Sequence, residues 1–278
     1  MARLFSFTVQ KLSSSIPDGR AMIHRATRRI VGPIAPVFSE DWPFQEVADS
    51  QILWRYMDLR KFEDIVRSST LYFPRADKLK DPFGGQDFFE GRLSPGNLRR
   101  RSRSDEAFRQ GYKIDDRGMQ DYPEIHRTVV FISCWHRNTR ESFRMWQAYT
   151  SSSESVVIVT SAKALRRFLP DELMKFAVRY TPLDFPRTEF SHNALFYYKP
   201  SGYSFECEYR LLRSPQEDEV FYSDKPEDEF RRIAIRAKKI IHRVITHPNA
   251  IQDTKSKVEE MLRAHLPSRR REDSALEL

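Results

Sequence analysis

Two apolar runs constrain this chain more than any other feature: Thr128-Val129-Val130-Phe131-Ile132-Ser133-Cys134-Trp135 and Val156-Val157-Ile158-Val159-Thr160. Neither alternates polar with apolar residues, so neither suits a strand with one face in water. Each reads as a buried strand, and a sheet must lie inside the molecule.

Shorter runs supply further strands: Ile52-Leu53-Trp54-Arg55-Tyr56-Met57, Leu71-Tyr72-Phe73, Phe176-Ala177-Val178-Arg179-Tyr180, Tyr209-Arg210-Leu211-Leu212-Arg213 and Ile240 to Ile245. Helices are expected between them. One over 59–69 has Asp58 as N-cap and an apolar stripe of Phe62, Ile65 and Val66. One near 141–150 groups Met145, Trp146 and Tyr149 by i+3 and i+4 spacing. Others are expected over 161–169 and 251–264, with a helix or helical turn over 190–199. Strands this short, separated irregularly by helices, do not make a regular doubly wound sheet. The expected class is α+β: a mixed, largely antiparallel central sheet flanked by helices, in a single main domain.

Three regions are expected. Residues 1–48 read as a basic, partly flexible arm broken by Pro17, Gly32, Pro33, Pro36 and Pro43. Residues 49–266 form the main domain, with a basic insertion near 92–118 that carries Arg99-Arg100-Arg101 and Arg103. Residues 267–278 read as a flexible tail.

Lys and Arg number 47 against 39 Asp and Glu, a formal charge of 47 − 39 = +8. Such a balance attracts nucleic acid, nucleotides or anionic membrane, although a solvated surface with basic tails is the plain alternative. The start of the chain, with Arg3, Lys11, Arg20, Arg25, Arg28 and Arg29 against Asp18, reads either as a transit segment or as a loosely ordered arm. Cys134 and Cys207 are the only cysteines. They make no disulfide scaffold and no zinc spacing, so a reducing, cytoplasmic setting is expected and no metal. No window approaches the roughly 20 apolar residues a membrane span requires. Phosphate-loop, glycine-rich dinucleotide and hydrolase-elbow motifs are missing too.

Six blocks together carry a resemblance: Trp54-Arg55-Tyr56, Phe73-Pro74-Arg75-Ala76-Asp77, Asp81-Pro82-Phe83, Ser133-Cys134-Trp135-His136, Met145-Trp146-x-x-Tyr149 and Phe205-Glu206-x-Glu208-x-Arg210. In this order they resemble the prokaryotic domain-of-unknown-function family numbered 2971, over about residues 52–266. The chain departs from that pattern at Gly84-Gly85, where the family carries an acidic residue after Asp-Pro-Phe, and at Glu154-Ser155, where a glycine is usual.

The family name supplies no reaction, but the order of Arg55, Ser133 and Glu206/Glu208 is similar to that in ADP-ribosyltransferases. Those enzymes carry a basic residue on an early strand, a serine or tyrosine midway and a late Glu-x-Glu. The resemblance implies NAD as donor and a protein or nucleic-acid acceptor, in a toxin or phage-defence setting. Glu208, Glu206 and Ser133 would then be catalytic. Arg55, Tyr56, Arg75, Asp77, Asp81, His136, Trp146, Tyr149 and Arg210 would bind substrate.

Read from chemistry alone, each of these has a second reading. Arg55 suits a bidentate phosphate contact or a salt bridge to Asp77, Asp81 or a late glutamate. In an extended segment Glu206, Glu208 and Arg210 share one face, as a site or as a solvent-facing charge ladder. Trp146 and Tyr149 stack on a ligand ring or pack in the core. Cys134 is expected to be inert, and His136 a polar group facing a ligand. Two other functions compete with the transferase: a nucleic-acid-binding module using the clusters at 99–103 and Arg269-Arg270-Arg271, and a metal-dependent nuclease using Asp77, Asp81, Glu206 and Glu208.

Overall fold

The computed structural model describes residues 22–24, 29–31, 47–79, 127–181, 194–214 and 229–276. Strands β1 (Met22–His24) and β2 (Arg29–Val31) pair antiparallel with each other. The main sheet begins at β3 (Ile52–Asp58), which runs straight into α1 (Leu59–Ser68). The expected stripe holds α1 to the core: Leu59, Phe62, Ile65 and Val66 are its buried residues. Asp58 stands at the N-cap without making a cap bond. Its carboxylate instead accepts from the backbone N–H and the hydroxyl of Ser151, at 2.8 and 3.0 Å.

Ser69, left-handed at φ 50°, turns the chain into β4 (Thr70–Pro74). The first long apolar run becomes β5 (Phe131–Arg137), which starts three residues later than the run and continues past it to include His136 and Arg137. Next come α2 (Phe143–Tyr149), β6 (Ser155–Ser161) and α3 (Ala162–Phe168), where the Ser161 hydroxyl caps α3 by accepting from Ala164 N–H at 3.2 Å.

The single strand expected over 176–180 is two, β7 (Met174–Ala177) and β8 (Arg179–Thr181). The interruption is Val178, whose N–H bonds the carbonyl of Glu208. Of the helix or helical turn expected over 190–199, the described residues form one turn, α4 (Ala194–Tyr197), followed by β9 (Tyr198–Pro200), which pairs parallel with β8. β10 (Glu208–Arg213) is where expected. β11 (Phe230–Ala234) pairs with β4. The start of the last expected strand is taken by α5 (Ala237–Ile240), so β12 is only Arg243–Thr246. α6 (Gln252–His265) precedes β13 (Arg271–Glu272), which adds to β12 in parallel. Beyond residue 266 the chain stays engaged: Ser274 Oγ and Ala275 N–H donate to Glu141 at 2.8 and 2.7 Å, and Leu276 packs beside Trp54 and Trp146.

The main sheet has seven strands in the order β13-β12-β6-β3-β5-β10-β7, every neighbouring pair antiparallel except β12–β13. The protein is thus α+β with a largely antiparallel sheet. One face carries Leu53, Trp135, Ile158 and Leu211 and is covered by the apolar sides of α1, α3 and α6. Burying side chains of this kind stabilises a fold by about 1.5–3 kcal/mol each, so this face supplies most of the cohesion. The other face packs Trp54, Tyr56, Val157 and Val159 under Met145 and Trp146 of α2. Beyond α2, that second face becomes polar.

Candidate active site

Antiparallel register puts Trp54, His136 and Glu208 side by side in one row, because His136 lies opposite both Trp54 and Glu208. Directly opposite residues share a face, so all three point to the polar part of the second face. His136 Nδ1 lies 2.6 Å from the carbonyl of Glu206, and Nε2 lies 3.2 Å from the amide nitrogen of Asn138. A carbonyl only accepts, so Nδ1 carries the proton and Nε2 accepts from Asn138. Burial lowers the His136 pKa and outweighs the bond to Glu206. The ring is therefore a neutral brace holding the segment ahead of β10.

That segment is not extended. Ser201–Glu206 is a 3-10 helix, and Cys207 follows in the left-handed region at φ 41°. A non-glycine residue there carries a steric cost of about 1 kcal/mol. The kink does what period-two alternation would otherwise have done: it brings the Glu206 and Glu208 side chains to one place. Both are buried, so the solvent-facing charge ladder is ruled out.

Four charged side chains close on each other there. Arg210 Nε and Nη2 both donate to Oε2 of Glu208, at 2.7 and 2.6 Å, while its Nη1 donates to the Phe196 carbonyl at 2.8 Å. Lys199 Nζ bonds Oε2 of Glu206 and lies 3.5 Å from Oε1 of Glu208. Lys199 is only 1% exposed, and its ammonium lies 4.8 Å from the centre of the Tyr203 ring. The Lys199 ammonium thus stands between the two carboxyl groups. Burial first, and then the Glu208 charge, push the Glu206 carboxyl up to about 7 despite the bond to Lys199.

Two tyrosines complete the enclosure. The Tyr180 hydroxyl accepts from the Glu208 N–H at 2.9 Å, and the Tyr149 phenol lies close enough to feel the charges of Glu208 and Glu206. Burial, followed by the neighbouring carboxylates, raises both phenols, which stay protonated. Tyr149 is 38% exposed, so its ring stands between the buried carboxyl pair and solvent. Beside it, Arg144 of α2 lies 5.9 Å from the centre of the Phe205 ring on the 3-10 helix.

No family model matches the chain, so the likeness to the 2971 family rests on the six blocks quoted above. No curated protein matches it either. Among solved structures it is similar to DarT of Thermus sp. 2.9 in complex with ADP-ribosylated ssDNA, with a TM-score of 0.37 and 10% identity over 83% of this chain and 96% of that one. The same DarT in complex with carba-NAD+ aligns with a TM-score of 0.32 and 10% identity, over 82% and 96% of the two chains. Likeness at that level leaves the reading of this chain to its own geometry.

The structure gathers Glu206, Glu208, Arg210, His136 and Tyr149, with Tyr56 and Trp146 adjoining. The rings of Tyr56 and Trp146 meet edge to face at 4.9 Å, and the Tyr56 hydroxyl accepts from Ser142 N–H at 2.9 Å. Other residues named from the sequence stand apart. Ser133 and Arg55 belong to the opposite, helix-covered face, one or three positions out of phase with His136 and Trp54. The Arg55 guanidinium lies 5.6 Å from the centre of the Trp135 ring and donates to the Tyr72 carbonyl at 3.2 Å. Burial lowers its pKa to about 10. The salt bridge expected for Arg55 is taken instead by Arg75, which holds Asp77 at 2.7 and 3.1 Å.

Arg75 bridges to Phe131, five residues along β5 from His136. That places Arg75 and Asp77 roughly 16 Å from the Glu208 row, so Asp77 does not join Glu206 and Glu208 around one ion. Asp81 lies outside the described residues, as do the basic run at 99–103 and Gly84-Gly85. Among the described residues, no cluster of His, Cys, Asp and Glu is arranged to hold a metal, and no helix is long and apolar enough to cross a membrane. In the second basic cluster, Arg269 donates to the carbonyls of Ile241 and Lys238, and Arg271 pairs with Glu259 and Asp273. Both serve the fold.

Lys199 and Tyr180 are site residues that the sequence reading does not single out. For Lys199 a signal exists: a lysine inside Phe196-Tyr197-Tyr198-Lys199-Pro200 needs an acidic partner if that aromatic run is buried. Tyr180 has no such signal, because only the break after β7 turns it toward Glu208.

Proposed function

We propose that the chain is a glycosyl-transferring enzyme of the ADP-ribosyltransferase type, using NAD as donor and a macromolecule as acceptor. One observation carries this reading: two buried carboxyl groups meet at the Lys199 ammonium yet have unequal partners, Arg210 on Glu208 and Lys199 chiefly on Glu206. A guanidinium keeps its charge at any working pH, so Arg210 favours the anionic form of Glu208. Glu206, raised to about 7, gains and loses a proton near neutrality. An anion beside a proton carrier is the division of labour that cleavage of a sugar C–N or C–O bond requires.

The bond between the ribose anomeric carbon and the nicotinamide nitrogen breaks, and the nitrogen leaves with the electron pair. Glu208 stabilises the resulting oxocarbenium-like centre electrostatically. The acceptor nucleophile bonds to that carbon and gives its proton to ionised Glu206. Tyr149, at the boundary with solvent, packs against the incoming sugar. NAD supplies the activated glycosidic bond. Arg55 and Ser133 have no part in this scheme, since the sheet lies between them and the carboxyl pair.

The test is nicotinamide release from NAD by the wild type and by Glu208→Gln. The expected result is at least a hundredfold loss in the variant, about 2.7 kcal/mol of transition-state stabilisation, with the circular dichroism spectrum unchanged. Undiminished release by Glu208→Gln overturns the assignment.

A further inference from the structure

We propose that Lys199 is a positioning residue that restrains how tightly Glu206 holds its proton and leaves Glu208 to Arg210, an inference that rests on Glu206 being the proton carrier. Lys199 Nζ bonds Glu206 Oε2 directly and only approaches Glu208 Oε1, at 3.5 Å. Glu208 is held instead by two donors of Arg210. The two cations differ in one decisive respect. An ammonium in a buried site gives up its proton readily, whereas a guanidinium does not. The Glu206–Lys199 pair can therefore pass a proton from nitrogen to oxygen without leaving an unbalanced charge, while the Glu208–Arg210 pair is fixed.

The other groups facing Glu206 do not compete for this role. From α2, Tyr149 presents a protonated hydroxyl. From β5, His136 is neutral and spends Nδ1 on the Glu206 carbonyl rather than on its carboxyl, and Cys134 sits near Tyr149. From β8, Tyr180 serves the Glu208 backbone. Arg210 is committed to Glu208 and the Phe196 carbonyl. Tyr203, beneath the ammonium, fixes where Nζ stands.

The experiment titrates the Glu206 carboxyl by carbon-13 NMR in the full chain, with the signal assigned through Glu206→Gln. Lys199→Arg supplies a cation that cannot release its proton, and the Glu206 midpoint is expected to fall by about one pH unit, a tenfold change in proton affinity. Lys199→Met removes the cation, and the midpoint is expected to rise by about the same amount. A midpoint unmoved by both changes, or moved the same way by both, overturns the proposal. If Lys199→Arg fails to fold, as its melting curve would reveal, Lys199→Gln takes its place. Both neutral variants must then raise the midpoint, and an unchanged value overturns the proposal. This readout needs no NAD turnover. A wild type that releases no nicotinamide removes the transferase reading and leaves the titration standing.

Discussion

Glu208 and Glu272 each receive an arginine through two nitrogens, yet they live in different solvents. Arg210 holds Glu208 with side chains 1% and 5% exposed, while Arg243 donates from Nε to both oxygens of Glu272 at 2.9 Å with side chains 46% and 40% exposed. An exposed pair is worth about 0–1 kcal/mol, because water already solvates both ions. A buried pair forfeits several kcal/mol of hydration per ion, and its attraction barely recovers that loss. Apolar side chains would hold β10 in the sheet as well or better. Cohesion alone therefore does not account for the buried pair, whereas the proposed function gives it a role.

The largest effect that would test this contrast is Arg210→Met. It leaves Glu208 charged, buried and stripped of its main partner, and the Phe196 carbonyl without its donor. A loss of about 3–5 kcal/mol in urea unfolding is expected. Adding Glu208→Leu to that variant should restore much of the loss, since the orphaned charge disappears with it. A single variant that loses under about 1 kcal/mol would mean water reaches Glu208, and the contrast would collapse.

The contrast also has a sign in pH. Glu206 is raised to about 7 from the usual 4.5, so between those values the folded state holds a proton that the unfolded state has released. Its contribution is complete below about pH 4.5 and is lost as pH rises toward 7, by up to about 3 kcal/mol. Glu272 behaves in the opposite way. The hydrogen bonds from Arg243 lower its pKa, so its contribution is present above the ordinary carboxylate range and is lost on acidification. Denaturant melts of the wild type and Glu206→Gln at intervals from pH 4.5 to 7 measure the first slope. A stability difference that stays flat across that window would place Glu206 in an ordinary, hydrated setting.

What the sequence reveals of this molecule follows how local each cause is. The cores of β5 and β6 were legible because unbroken apolar runs have few alternatives, and α1 because Phe62, Ile65 and Val66 repeat at helical spacing. The pairing of Glu206 with Glu208 was legible from their proximity, although not for the reason spacing suggests: Cys207 kinks the chain and no extended segment joins them. Arg55 shows the limit most clearly. Its place in a motif-like order says nothing about which face of β3 it occupies, and the phase of the ladder puts it opposite Ile158 on the helix-covered side. Lys199 reaches the site through the parallel β8–β9 pair and Tyr180 through the break at Val178, contacts that no local pattern encodes. β11, with Arg231 and Arg232 in its middle, lacks an apolar signature because its partner is the short β4 rather than the central sheet.

The smallest expected effect belongs to the exposed pair, and its smallness is the point. Glu272→Gln removes the charge opposite Arg243 but leaves the β12–β13 backbone pairing and the contacts of Arg271 with Glu259 and Asp273 in place. A loss of about 0.5 kcal/mol is expected at low salt, a fall of about 1–2 °C in melting temperature for a chain of this size. Screening shortens the reach of exposed charges from about 10 Å at 0.1 M salt to about 3 Å at 1 M, so the loss should shrink over that range. The loss from Arg210→Met should not, because ions do not enter the space around Glu208. If Glu272→Gln instead costs more than about 2 kcal/mol and ignores salt, the two arginine–glutamate pairs are energetically alike, and burial cannot be what sets Glu208 apart.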